Sequence, residues 1–137
     1  GIVAGGGVAL LHASKVLDTL HAGNEDEKVG IRLVKFVLSS AVRQIAENAG
    51  KNGEVVITEI LKKDSPSYGY DALKDEYVDM FEAGIVDPKM VTRSALENAV
   101  SVVGTVLTTG ATVTDIPEEK SAMGGGMPGM GGMGDMM

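Results

Sequence analysis

Residues 24–50, NEDEKVGIRLVKFVLSSAVRQIAENAG, decide the fold class. Asn24 is a residue type that caps free helical N–H groups, and Glu25, Asp26 and Glu27 fall in the first turn, where the helix dipole favours anions. Val29, Leu33, Phe36, Val37, Ile45 and Ala49 follow as an apolar stripe broken by Lys35, Arg43 and Glu47, and Gly50 supplies a stop. The spacing predicts a single helix of roughly 24 residues, about 36 Å long and able to cross a domain.

Working outward, Gly5, Gly6 and Gly7 read as a flexible turn, behind which Val8, Leu11, Leu17 and Leu20 recur at helical spacing up to a stop at Gly23. Downstream, Lys51, Asn52 and Gly53 form a turn. Residues 54–63 are ambiguous: Val55, Val56, Ile57 and Thr58 suit a strand, while Ile57, Ile60 and Leu61 suit a short helix, which is the reading preferred. Residues 64–70 read as a loop, since Ser65-Pro66 and Tyr68-Gly69-Tyr70 both form turns. A short helix is expected over 73–81, closed by Gly84. Asp87-Pro88 reads as the start of the last long helix, because Asp caps N–H groups and Pro fits the first helical position. That helix carries Val91, Ala95, Val102, Val106 and Leu107 and runs to Gly110.

Residues 111–116, rich in Thr and Val, read as a strand. From Ser121 onward the composition collapses to Gly, Met and a few other residues, so 117–137 is expected to be a flexible tail beside a folded part over 1–116. The fold class expected is mainly α with one late β-strand. A lone strand needs a partner. No second strand is read here, so the partner is expected outside the chain, as for a fragment or a subunit.

Charge narrows the function classes. The chain has 19 acidic and 12 basic residues, a net charge of −7 with no local Lys/Arg cluster, so nucleic acid is not expected as a partner. No apolar run approaches the roughly 20 residues of a membrane span. Cysteine is absent, which removes disulfides and thiolate metal sites. The chain begins at Gly1 rather than Met, which reads as processing or excision from something longer, and residues 3–11 lack the basic leader and cleavage pattern of a signal peptide.

Few constellations carry chemistry. The triple-glycine turn before a helix can admit a nucleotide close to the backbone, yet its spacing matches neither common phosphate-loop pattern, and an ordinary loop explains it as well. Asp87 can bond a ribose hydroxyl or simply cap its helix, and its two oxygens allow both. Tyr68, Tyr70 and Asp71 can frame a base or pack between helices. His12 and His21, nine apart, face opposite sides of an ideal helix and cannot share a metal. Met127, Met130, Met133 and Met136 repeat every third residue, a soft-ligand pattern for Cu(I) or a merely adaptable apolar tail. No Ser/His/Asp triad, HExxH or P-loop is present.

The run from Gly1 to Leu10 (GIVAGGGVAL) resembles the segment where group I chaperonins re-enter their equatorial, nucleotide-binding domain. Asn24-Glu25-Asp26, the run RQIAENAG at 43–50, GYDA at 69–72, GIVDP at 84–88 and VTRSAL at 91–96 resemble the family in the same order and spacing, and the tail resembles its Gly-Gly-Met repeat. The resemblance covers the whole chain and identifies it as the C-terminal part of the equatorial helical domain.

What the resemblance implies is an ATP-dependent chaperonin: a homo-oligomer of two stacked sevenfold rings that works with a co-chaperonin and encloses unfolded client proteins. Gly6 would lie near the nucleotide, Asp71, Ala72 and Leu73 would line the adenine pocket, and Asp87 would contact the ribose. The strand over 111–116 would pair in a sheet spanning subunits, and Glu25 and Arg43 would fall between the rings. Many bacterial members have Asn where Asp71 stands and a small residue where Leu73 stands; an Asp cannot donate the bonds an Asn amide can. The family's phosphate loops, Mg²⁺ ligand and hydrolytic carboxylate come from outside this stretch, so the chain alone is expected neither to hydrolyse ATP nor to fold clients. The location implied is the bacterial cytoplasm, or the mitochondrial matrix or plastid in a eukaryote. The alternative is a standalone helical interaction module without nucleotide binding.

Overall fold

The computed structural model describes residues 1–63 and 65–116. Its elements are β1 (Ile2–Ala4), α1 (Val8–Ala13) running into a 3₁₀ helix (Ser14–Thr19), α2 (Glu25–Leu38), α3 (Ser40–Asn48), α4 (Gly53–Lys62), β2 (Tyr68–Asp71), β3 (Glu76–Asp79), β4 (Val86–Pro88) and α5 (Lys89–Leu107). The class is mainly α, as expected.

The capping chemistry of α2 works as its sequence suggests. Asn24 accepts from the Glu27 backbone N–H at 2.8 Å, which satisfies an orphan donor of the first turn, and the Glu27 carboxylate accepts from the Gly23 N–H at 2.7 Å just before the cap. The single long helix is not formed, however. It breaks at Ser39, where Ser39 Oγ donates to Phe36 O at 2.7 Å and Ser40 Oγ to Val37 O at 2.6 Å. Two adjacent serines competing for helical carbonyls bend the backbone, and α2 and α3 become separate segments. At the end of α3 the Gly50 N–H bonds Glu47 O at 2.9 Å and the Lys51 N–H bonds Ala46 O at 2.9 Å, the double closure of a Schellman motif. Asn52 then caps α4 by accepting from the Glu54 and Val55 N–H groups. The helical reading of residues 54–63 holds.

Further expectations are corrected. The helix over 73–81 is instead a β-hairpin: β2 and β3 pair antiparallel with Tyr70 opposite Tyr77 and Asp71 opposite Glu76. Its tyrosines meet across the strands, with ring centroids 5.3 Å apart for Tyr70 and Tyr77 and 6.0 Å for Tyr68 and Tyr77. Aromatic cross-strand pairs stabilise such ladders, and they outweigh the weak helical spacing of this short segment. The late strand over 111–116 does not form; this segment is irregular, with Val113 99% exposed. Nothing among the described residues pairs with it, and an unpaired strand leaves its backbone groups unsatisfied. Strands exist elsewhere: β1 pairs antiparallel with β4, Val3 opposite Asp87. The tail over 117–137, with its repeated methionines, lies outside the described residues.

The core gathers Val8 and Leu11 of α1, Val42 and Ala46 of α3, Val56, Ile57 and Ile60 of α4, with Ala4, Tyr70 and Met80. Gly69 lets β2 lie against α1: a Cβ there would sit 2.5 Å from Val8 Cγ2 and 2.7 Å from Met80 Sδ. By contrast, α5 buries no residue; Met90, Val91, Val100, Val102, Val103, Val106 and Leu107 are all exposed. Val29, Leu33, Phe36 and Val37 of α2 are exposed as well. Such apolar display marks surfaces that associate.

Candidate functional site

The triple-glycine turn is a packed structural feature rather than a flexible loop. Gly5 donates to Ile85 O at 3.0 Å and accepts from the Val8 N–H at 3.1 Å, which ties the turn to the segment before β4 and starts α1. Gly7 precedes α1 at φ 80°, a left-handed conformation that costs most other residues about 1–2 kcal/mol. A Cβ on Gly7 would also stand 2.8 Å from Ala41 Cβ and 2.9 Å from Val42 N, so the turn reaches the backbone of α3. The need for Gly at 7 is therefore both conformational and steric.

Pairing of β1 with β4 carries Asp87 to this turn. Val3 is its partner in the ladder, and Lys89 donates to Gly1 O at 3.0 Å just beyond. Asp87 does not cap α5: it lies within β4, and Pro88 holds the N-cap position with no side-chain bond. The sequence reading of Asp87 as the helix cap is thus corrected. Its half-buried carboxylate makes no hydrogen bond or ion pair among the described residues. A cleft of about 360 Å³ opens there, bounded by Ala4 and Gly7 on one side, Ala41 from α3, and Asp87, Thr92 and Leu96 on the other. Apolar walls with one uncommitted carboxylate offer packing for a flat or ring-shaped group and an acceptor for a hydroxyl.

None of the other predicted residues lines the cleft. Gly6 belongs to the same turn, at φ 63°. Asp71, Ala72 and Leu73 lie at the tip of the β2–β3 hairpin and do not line the cleft. Asp71 is 6% exposed, and its Oδ1 accepts from the Leu73 N–H at 2.9 Å and the Lys74 N–H at 3.3 Å. Its side chain shapes the loop from within, as an Asx turn does. An acceptor is all that role needs, and Asp provides one. Leu73 is 91% exposed at the tip.

Sequence reasoning missed the network beneath this tip. Asp75 accepts from Tyr70 OH at 2.8 Å through Oδ1 and from Lys51 Nζ at 2.5 Å through Oδ2. The Lys51 hydrogen bond, then the Tyr70 hydroxyl, hold the Asp75 carboxyl below its ordinary range. Lys51 is raised by the same bond, and Tyr70 is raised first by burial and then by Asp75. No local motif announced it, because Lys51 and Asp75 meet only once the hairpin folds onto the α3–α4 turn.

Glu25 and Arg43 are both engaged within the chain. Glu25 accepts from Lys28 at 2.5 Å. Arg43 donates to Glu54 Oε1 from Nε at 2.9 Å and from its terminal nitrogen at 2.6 Å, with its guanidinium 4.6 Å over the Phe36 ring. Among the described residues no group of three or more His, Asp or Glu side chains can hold a metal ion, and no helix is long and apolar enough to cross a membrane.

The model of the TCP-1/cpn60 chaperonin family matches residues 1–117. Two curated relatives are mitochondrial chaperonins of Cucurbita maxima, CPN60-2 at 51% identity and CPN60-1 at 50%, each over 133 residues that make up 95% of this chain. The chain spans about a quarter of their length, 23% in each case. Among solved structures, the open-state monomer of a group II chaperonin from Methanococcoides burtonii superposes with a TM-score of 0.69 at 23% identity, over 79% of this chain and 28% of that one. That likeness concerns the fold.

Proposed function

Because the chain belongs to the TCP-1/cpn60 chaperonin family, in its group I branch, we propose that it supplies part of the ATP-binding domain of a protein-folding chaperonin. On this reading residues 1–116 are the C-terminal part of that domain and 117–137 its flexible tail. Asp87 accepts from a ribose hydroxyl and the backbone at Gly6 approaches the nucleotide; the hairpin tip at Asp71, Ala72 and Leu73, outside the lining of the cleft, is assigned to the adenine by the family resemblance alone. One observation carries it: β1–β4 pairing sets the uncommitted Asp87 carboxylate beside a glycine turn at an apolar cleft. ATP is the ligand. Mg²⁺ and the hydrolytic group come from parts of the domain outside this chain, so the chain alone has no ATPase activity.

Assembly follows the family's plan of stacked homo-oligomeric rings, acting with a co-chaperonin on unfolded proteins. The apolar faces of α2 and α5 support an assembly role, since they are exposed in the isolated chain. The names of the two Cucurbita relatives favour the mitochondrial matrix over the bacterial cytoplasm.

The test is hydrogen–deuterium exchange of the 137-residue chain with and without ATP. Protection at residues 3–11 and 85–90, lost in Asp87→Ala, is the expected result. No ATP-dependent change in the unmutated chain overturns the nucleotide reading and leaves assembly as the function.

A further inference from the structure

Asp75 is the one non-glycine residue with positive φ among the described residues, at 58°. It closes the four-residue loop between β2 and β3, a position where glycine is the least strained choice. Asp is among the few other residue types that adopt it, and such a conformation persists where surrounding contacts hold the residue in place. The carboxylate of Asp75 joins two elements: Tyr70 of its own hairpin and Lys51 of the α3–α4 turn. Lys51 projects between the Schellman closure that ends α3 at Gly50 and the Asn52 cap that starts α4. The hairpin is thus fastened to the α3–α4 turn at a point next to its tip.

We infer that Lys51 and Asp75 are positioning residues, which with Tyr70 clamp the β2–β3 loop against the α3–α4 turn and fix how the tip at Asp71, Ala72 and Leu73 is presented. This rests on the reading of that tip as the adenine-facing segment. The chain of causes is short. The clamp holds Asp75, Asp75 sets the return of the loop into β3, and the loop geometry brings the Leu73 and Lys74 N–H groups onto Asp71 Oδ1. Asp71 is thereby kept turned inward, and Leu73 is left outward.

Three variants of the full chain test it by exchange of the tip amides, with residues 40–48 as internal control. Lys51→Met should speed exchange at residues 72–75 about threefold, in keeping with an exposed pair. Lys51→Arg, which keeps a donor cation, should restore it. Asp75→Gly separates the two explanations by sign. If Asp75 served only the backbone, glycine would leave the tip unchanged or tighter; the clamp requires faster exchange. Unchanged exchange in both Lys51→Met and Asp75→Gly overturns the inference. ATP is then added to the unmutated chain and to Lys51→Met. Protection of the tip that is weaker in the variant supports the positioning role. A clamp that responds to mutation while the tip ignores ATP in both proteins removes the adenine reading, and with it the positioning role.

Discussion

Replacing Gly7 with Ala isolates how tightly the glycine turn is built into the fold. Two costs add. At φ 80° an alanine carries the left-handed penalty, about 1 kcal/mol at the low end. Its Cβ would then meet Ala41 Cβ at 2.8 Å and Val42 N at 2.9 Å, separations that force α1 and α3 apart. Overpacking of this kind costs about 1–3 kcal/mol. The expected total is about 2–4 kcal/mol. Gly50→Ala is the matched reference: Gly50 has φ 76°, and a Cβ there meets nothing within 4 Å. It should lose only the conformational part, about 1 kcal/mol. Urea denaturation of the full chain, followed by far-ultraviolet circular dichroism, gives both values against one baseline. If the two variants fall within about 0.5 kcal/mol of each other, near the ordinary scatter of surface substitutions, the turn does not press on α3 and the steric argument is refuted.

Asn52→Ala removes the acceptor for two N–H groups of α4 and should lower the urea-derived stability by about 1 kcal/mol. Acid should destabilise the hairpin. Asp75 and Asp79 are both held below the carboxylate value of 3.8, Asp79 first by the Ser67 hydroxyl and then by the Glu82 N–H. Their contribution is complete above that value and is lost as pH falls through the lower folded values, so Asp79→Asn should flatten stability against pH on the acid side only. Lys51 and Tyr70, raised above 10.5 and 10.0, contribute fully below those values and lose that contribution as pH rises past them. Finally, Val103→Lys with Val106→Lys should shift the sedimentation profile toward monomer without lowering the melting temperature, because both positions are exposed in the folded chain. An unchanged profile would show that α5 does not drive association.

Much of the helical frame was legible. Asn24, the anionic first turn of α2, the Gly50 stop and the apolar spacing of α4 all act through neighbours in sequence, which is where local chemistry can be read. The break at Ser39 was written in the adjacent serines, yet the continuous apolar stripe concealed it. The hairpin was missed because its strands are four residues each, too short for period-two alternation to stand out, and because Tyr68, Tyr70 and Tyr77 stabilise it only in each other's company. The strand expected over 111–116 failed for the opposite reason: β propensity describes a fit to a neighbouring strand, and no described residue supplies one. At the candidate site, Asp87 was found as a carboxylate beside a proline, but its job as cap was misread. Which element it belongs to is fixed by Val3, far away in the chain.

That last pairing also sets an order in time. The β2–β3 hairpin closes a four-residue loop, whereas β1 can meet β4 only after everything between residues 5 and 85 has been gathered in. Closing a longer loop costs more entropy and awaits the contacts that shorten it. Loop-closure entropy therefore predicts that helices and hairpin form early in folding and the seam between β1 and β4 late. Asp87 comes to the glycine turn with that seam, so an incompletely folded chain has its frame before it has its cleft. On the proposed reading of Asp87 as a ribose contact, nucleotide binding there would report completed folding, since the cleft exists only once β1 and β4 have met.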